Sequence, residues 1–118
     1  MNIEDARILC MSQKCATEDM PFGDDYVCFR VMNKIFGGLP LNMPNILVLK
    51  CDKEEFDELC ANHPSIEQAW HWHKKHWIQI DLTGSDISKE YIEELVGKAY
   101  ATVVKKLTKK EREELAQL

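Results

Sequence analysis

Residues 26–51 read YVCFRVMNKIFGGLPLNMPNILVLKC, and the fold class follows from this stretch. Over Tyr26–Met32, Val27, Phe29 and Val31 alternate with Tyr26, Cys28 and Arg30, the period-two pattern of a half-buried strand. Asn33-Lys34 reads as a tight turn into a second strand, Lys34–Leu39. The segment PLNMPN, residues 40–45, breaks the sheet before a third strand, Ile46–Cys51. In that strand Leu47, Leu49 and Cys51 share one face, yet Ile46 and Val48 on the other face are also apolar. A sheet covered on one side alternates with polar residues, so this pattern asks for a second cover: the C-terminal helix in the simplest case, or a second subunit or a ligand.

Helices stand on both sides of this block. Residues 2–14, NIEDARILCMSQK, start at a capping Asn2 with Glu4 and Asp5 in the first turn, and Ile3, Ala6, Leu9 and Cys10 share a face. The acid-rich stretch 16–25, ATEDMPFGDD, reads as a loop. Asp52 and Glu55 make a D-x-x-E capping signal for a helix with Phe56, Leu59 and Cys60 on its apolar side, ended by Asn62-His63-Pro64. Two further strands are expected near 68–72 and 77–82. Ser88 caps the longest helix, whose Ile92, Leu95, Val96, Ala99, Tyr100, Val103, Val104 and Leu107 keep helical spacing throughout. Thr108 with Glu111 announces a separate short helix over 109–117. Segregated strands and helices predict one α+β domain over residues 1–118. The expected architecture is two-layer, with helices on one face of an antiparallel sheet and the order α-β(3)-α-β(2)-α plus a short C-terminal helix.

The 118 residues carry 15 Lys and Arg against 20 Asp and Glu, a net charge of −5, which disfavours a strongly basic nucleic-acid binder. The charge is uneven: residues 1–60 hold 6 basic and 11 acidic side chains, while residues 61–118 hold 9 of each and all four histidines. Cys10, Cys15, Cys28, Cys51 and Cys60 are odd in number and contain no C-x-x-C pair, as expected of reduced cytoplasmic thiols. The N-terminus lacks a charged-then-apolar signal pattern, and no apolar run reaches the ~20 residues of a membrane span.

Read in order, Ala16-Thr17-Glu18-Asp19 with Pro21-Phe22-Gly23, then Leu49-Lys50-Cys51-Asp52, Lys75-His76-Trp77 and Ala99-Tyr100 resemble the YjbR/MmcQ family of small cytoplasmic proteins. The resemblance spans nearly the whole chain. It implies the α-β(3)-α-β(2)-α fold, a layout shared with secretion chaperones, and DNA as a partner through a double-wing mode of binding.

The stretch Trp70-His71-Trp72-His73-Lys74-Lys75-His76-Trp77 is the densest in functional side chains. Ile78, Ile80 and Leu82 are expected to face the core, leaving Trp77, Gln79 and Asp81 outward. If Trp70 and Trp72 pair on the Ile78 side, His71 and His73 point outward beside Trp77, with Lys74 and Lys75 at the tip. A two-residue Lys-Lys turn is disfavoured because it asks both lysines for positive φ. Three readings compete. The stretch is a nucleic-acid wing, with lysines on phosphates and Trp77 as a stacking surface; a metal site built on His71, His73 and His76; or a solvated hairpin over core tryptophans. Lysines of the run 98–112 sit at a helix C-terminus, where the helix dipole favours them, and they extend a positive patch only if they lie near the hairpin tip.

Catalytic signals are thin. Glu18, Asp19, Asp24 and Asp25 are candidate cation ligands or solvated turn acids. No Gly-rich phosphate loop, G-x-S-x-G or H-E-x-x-H motif occurs, and no cofactor motif is present. Cys10, Cys51 and Cys60 fall on apolar faces, where thiols are packing residues. With the DNA partner that the resemblance implies, the expectation is a non-enzymatic DNA-binding protein whose nucleic-acid contacts come from Lys34, Lys74, Lys75, His76, Trp77, Lys109 and Lys110. The alternative is a protein- or small-ligand-binding module, or a homodimer, using the open sheet face around Tyr26, Arg30, Ile46, Val48 and Trp77.

Overall fold

The computed structural model describes residues 1–69, 72–73 and 75–118. Helix α1 (Ile3–Met11) opens with a reciprocal capping box: the Asn2 side chain accepts from the Asp5 N–H at 2.8 Å, and the Asp5 carboxylate accepts from the Asn2 N–H at 3.3 Å. It ends at Ser12, short of the expected Lys14, and buries Ala6 and Cys10 one turn apart.

A strand not anticipated from the sequence follows. β1 (Thr17–Asp19) lies in the stretch expected as loop. Three polar residues carry no apolar alternation, so the strand is defined by its partner: Thr17, Glu18 and Asp19 pair with Arg30, Phe29 and Cys28 of β2 (Tyr26–Val31). Ion pairs from Arg7 to Glu18 and from Arg30 to Asp19 (3.0 Å) hold it at the sheet edge.

β2 and β3 (Lys34–Pro40) form a hairpin whose two-residue turn is Met32-Asn33, with φ of 48° and 68°. The expected Asn33-Lys34 turn is thus displaced by one residue, and Lys34 pairs with Val31 as the first residue of β3. Asn33 tolerates the left-handed region that this turn demands. The partner of β2 steps from Gly37 (opposite Phe29) to Ile35 (opposite Arg30), so Phe36 is the extra residue of a bulge. β4 (Ile46–Lys50) then pairs with β3.

Asp52 stands at the N-cap of α2 (Lys53–Asn62), but its side chain makes no cap bond, contrary to the D-x-x-E signal. Its carboxylate lies 3.5 Å from Lys105 Nζ instead, a long-range ion pair in place of the local cap. β5 (Ile66–Gln68) comes earlier than the strand expected at 68–72, and β6 is Trp77–Asp81. α3 (Lys89–Lys105) is capped by the Ser88 hydroxyl, which accepts from the Tyr91 N–H at 3.1 Å. α4 (Lys109–Gln117) is capped by the Thr108–Glu111 box. Both capping expectations hold.

Among the described residues the strands form one antiparallel sheet in the order β1-β2-β3-β4-β6-β5. The α+β architecture is as expected, with one strand more. On the inner face Phe29, Phe36, Leu47, Leu49, Ile78 and Ile80 are fully buried against residues from all four helices. Each such side chain contributes about 1.5–3 kcal/mol by leaving water. The Tyr100 ring packs edge-on to Phe36 (5.6 Å), and its hydroxyl donates to the Lys14 carbonyl at 2.7 Å, joining α3 to the end of α1. The C-terminal helix does not cover the outer face: Leu115 of α4 is buried in the inner core. No helix among the described residues is long and apolar enough to cross a membrane.

Candidate ligand cleft on the outer sheet face

The outer face has its own apolar cluster, in which Val48, Ala69 and Trp77 are buried beneath Tyr26, Ile35, Ile46 and Trp72. Its middle is low. Cys28, Gly38, Val48, Gln79 and Glu67 lie opposite one another across β2, β3, β4, β6 and β5. Two of these positions bear no side chain or a short one, and Gly38 leaves room for the Tyr26 ring against it. A cleft of about 560 Å³ opens over this floor, lined by Val48 and Gln79, by Phe22, Tyr26 and Trp72, and by Met43 from the β3–β4 connection. Pro40, Asn42 and Asp25 complete it.

The aromatic wall is held together by directed contacts. Trp72 Nε1 donates to the Tyr26 hydroxyl at 2.9 Å. Phe22 stands 6.1 Å from both Tyr26 and Trp72, at 83° and 77°, and Tyr26 and Trp72 are 5.9 Å apart at 50°. Trp72 also packs on Trp77 with ring centroids 4.4 Å apart, and Lys50 Nζ lies 4.9 Å from the Trp77 ring centre. Burial pushes the Tyr26 phenol up to about 12, more strongly than the Trp72 hydrogen bond opposes it, so the hydroxyl is neutral at physiological pH. Gln79 is buried, and its amide nitrogen donates to Glu67 at 2.7 Å, which fixes the orientation of the amide.

The rim is unusually apolar for surface loops. Phe22 is 60% exposed and Met43 40%, and Met20 and Leu41 in the same two loops are also exposed. Solvent-facing apolar side chains scattered singly mean little, but grouped around a cleft they mark a binding surface.

The register expected for the 70–77 stretch is corrected by these contacts. Trp72 lies on the Trp77 side of the sheet, not the Ile78 side. The reason is that β5 ends at Gln68 and its last ladder-like bond runs from the Ala69 N–H to the Trp77 carbonyl (3.2 Å), so alternation cannot be counted back through the loop. Lys75 adopts a φ of 65°, the region that was expected to be avoided. Trp70, His71 and Lys74 lie outside the described residues, and with them part of the wing and metal readings.

The remaining basic candidates fall into two groups. His76 is half-buried; burial, then the charges of Lys50, His73, Lys106 and Lys53, hold its pKa below the ordinary value. Lys106 of the basic run therefore lies near the hairpin. Lys75 is 3.5 Å from Asp57 of α2, so its charge is partly offset. Trp77 keeps only 8% of its surface and packs as a buried residue under Trp72. The second group is exposed: Lys34 lies in electrostatic reach of Glu111, beside the first turn of α4 that carries Lys109 and Lys110. Of the alternative set, Tyr26 and Val48 line the cleft, and Ile46 and Trp77 belong to its apolar bed. Arg30 is committed to Asp19 and to the Asn33 carbonyl (3.0 Å each).

Glu18 and Asp19, weighed as cation ligands, are the ion-pair partners of Arg7 and Arg30. Among the described residues no group of three or more His, Cys, Asp or Glu is arranged to hold a metal. Burial pushes the thiols of Cys10 and Cys51 up to about 12 and that of Cys28 up to about 11. Sequence reasoning missed Phe22, Asp25, Met43, Trp72 and Gln79 as cleft residues. The available signal was the pair of loops, PFGDD and LNMPN, that set apolar side chains among turn-forming residues.

Comparison with known proteins agrees with this fold. A protein from Deinococcus radiodurans, DR2400, superposes with a TM-score of 0.87 at 34% identity, covering 98% of this chain and 88% of its own. A protein from Pseudomonas syringae shares the fold at a TM-score of 0.72 and 20% identity, over 86% of this chain and 98% of its own. The "Uncharacterized protein YbdF" of Escherichia coli O157:H7 is 30% identical over 98 residues, 78% of this chain and 75% of that protein. The YjbR family model matches residues 11–102, from the end of α1 through most of α3. The chain belongs to the YjbR family.

Proposed function

We propose that this protein is a binding module whose site is the outer-face cleft and whose ligand is a small organic molecule. The observation that carries the reading is the coincidence of a concave, aromatic-walled space of about 560 Å³ with the exposed apolar side chains Phe22 and Met43 on its rim. Clefts of roughly 300–1,000 Å³ with mostly apolar walls and a few polar groups are the usual form of small-ligand sites. Asp25, Asn42 and Gln79 supply the polar groups. A ligand-observed nuclear magnetic resonance screen of small organic compounds tests it. Compounds that bind should lose binding in Phe22→Ala and in Met43→Lys, both of which alter exposed side chains and leave the core intact. Hits indifferent to both variants would sink the reading.

A second reading, non-catalytic DNA binding of the kind the family resemblance implies, is supported by one observation. Lys50, Lys53 and Lys106 lie in electrostatic reach of His76, and Lys34 lies in reach of Glu111 in the first turn of α4, which carries Lys109 and Lys110. Such binding is weak, sequence-independent and steeply salt-sensitive, because phosphate contacts carry it and the protein is acidic overall. Lys75 of the hairpin belongs to the same interface, Lys74 lies outside the described residues, and Trp77 supports the interface only as packing. Fluorescence anisotropy of a random duplex over a salt series tests it. Loss of binding in Lys50→Glu/Lys106→Glu supports it, and absence of binding at low salt removes it.

A further inference from the structure

We propose that the outer-face cleft selects a small organic cation, an amine or quaternary ammonium carried on an apolar or aromatic body. This rests on the reading of the cleft as a ligand site and adds the ligand's charge. Asp25 is the charged residue of the lining, and its carboxylate makes no hydrogen bond or ion pair among the described residues. No Lys, Arg or His lines the space among the described residues. The uncommitted acid shares the lining with three aromatic rings, whose π-faces carry negative potential. A cation within about 6 Å of such a ring is attracted to it, and Trp and Tyr are the stronger partners.

The ring geometry points the same way. Phe22, Tyr26 and Trp72 form a near-equilateral triangle with centroid separations of 6.1, 6.1 and 5.9 Å. Their planes are inclined at 83°, 77° and 50°, so the rings pack against one another into a single wall, and a cation lies on the faces that this wall turns to the cleft rather than between the rings. Gln79 has its amide nitrogen bound to Glu67, which leaves the carbonyl oxygen, an acceptor, as its other polar atom. A carboxylate and an amide oxygen are acceptors that match N–H donors on a ligand. An anionic ligand would meet the Asp25 charge with no basic residue of the lining, among the described residues, to balance it.

The test titrates the full chain with phenyltrimethylammonium, with benzoate and benzyl alcohol as anionic and neutral probes of similar size. The indole N–H resonance of Trp72 and the methyl resonances of Val48 report occupancy. Phenyltrimethylammonium should bind about three- to tenfold more tightly than benzoate, the difference that ring faces and an exposed carboxylate together provide. Asp25→Asn should weaken the cation by about two- to fivefold and leave benzyl alcohol unchanged. Phe22→Ala should weaken the cation as well. If all three probes bind equally, or if Asp25→Asn has no effect on the cation, the charge assignment is overturned while the cleft remains a ligand site. If no probe moves Trp72 or Val48 at concentrations on the order of 10 mM, far beyond the range of a selective site, the cleft reading falls with it.

Discussion

The ring of Tyr26 occupies the space that a side chain at Gly38 would need: a Cβ there would stand 2.7 Å from Tyr26 Cε1 and 3.1 Å from the Val27 carbonyl oxygen. The glycine is thus the reason that a tyrosine on β2 can lean across the neighbouring strand and form one wall of the cleft. Gly38→Ala should force the ring aside and cost about 1–3 kcal/mol, the usual range for overpacking a filled site. Urea denaturation measures this directly. A change below about 0.5 kcal/mol, the level of an inert surface substitution, would mean that Tyr26 is not seated as described.

The hydrogen bond from Trp72 Nε1 to the Tyr26 hydroxyl connects the loop after β5 to β2 across 46 residues of sequence. Trp72→Phe keeps an aromatic ring against Trp77 but deletes the donor. The expected loss is about 1 kcal/mol, the net worth of a partly buried hydrogen bond. Trp72→Ala should cost more, since it also uncovers Trp77 and opens the outer cluster. Equal stability of the two variants would show that ring packing is not what Trp72 contributes.

Acid sensitivity should come in two windows. His76 is held below its ordinary pKa by burial and by Lys50, His73, Lys106 and Lys53. The unfolded chain therefore binds a proton there before the folded chain does, and stability falls as pH drops below about 6.5. In His76→Gln that part of the decline should vanish when denaturation at pH 7.5 and pH 5.5 is compared. The carboxylates behave in the second window. Glu18 is depressed by its hydrogen bond from Arg7, Asp81 by the Thr83 hydroxyl and N–H, and Asp86 by the Ser65 hydroxyl and N–H. Their stabilisation is complete above about pH 5 and is lost below about pH 4 as they protonate. A single transition common to wild type and His76→Gln would contradict this division.

Most of the fold was legible because hydrophobic periodicity and helix caps are local signals. The alternation at 26–32, the helical stripe of α3 and the caps at Asn2, Ser88 and Thr108 all appear where their spacing indicates. The failures share one cause, namely that a long-range partner decided the local structure. β1 exists because Arg7 and Arg30 bind its acids and β2 offers an edge, neither of which is visible in Thr17-Glu18-Asp19. Asp52 leaves its cap for Lys105 on another helix. The cleft was half legible: the apolar outer pair Ile46 and Val48 demanded a cover, but nothing local revealed that Trp72 would cross from the loop after β5 to supply it. Glu18→Gln tests this view of β1. The exposed pair should carry no more than about 1 kcal/mol of global stability. Amide exchange at Thr17–Asp19 should nonetheless accelerate selectively, and uniform exchange across β1 and β2 would show that the strand does not depend on the ion pair.

The cysteines allow a sharp check on how this fold treats its reactive groups. Cys10, Cys28 and Cys51 are buried, and burial raises their thiols to about 12, 11 and 12, so almost none is thiolate near pH 8. Cys60 is half-buried and also raised, first by burial and then by Asp57 and Glu67. Cys15 is exposed, just beyond α1. Alkylation with iodoacetamide at pH 8 should therefore add one label rapidly, at Cys15, with Cys60 following slowly and the other three reacting only after denaturation. Mass spectrometry of the intact chain and its peptides separates these cases. Fast labelling of Cys51, whose Sγ lies 3.8 Å from the Lys75 carbonyl, would mean that the loop after β5 opens readily. The outer-face cleft, with Trp72 in that loop, would then be a transient rather than a preformed site.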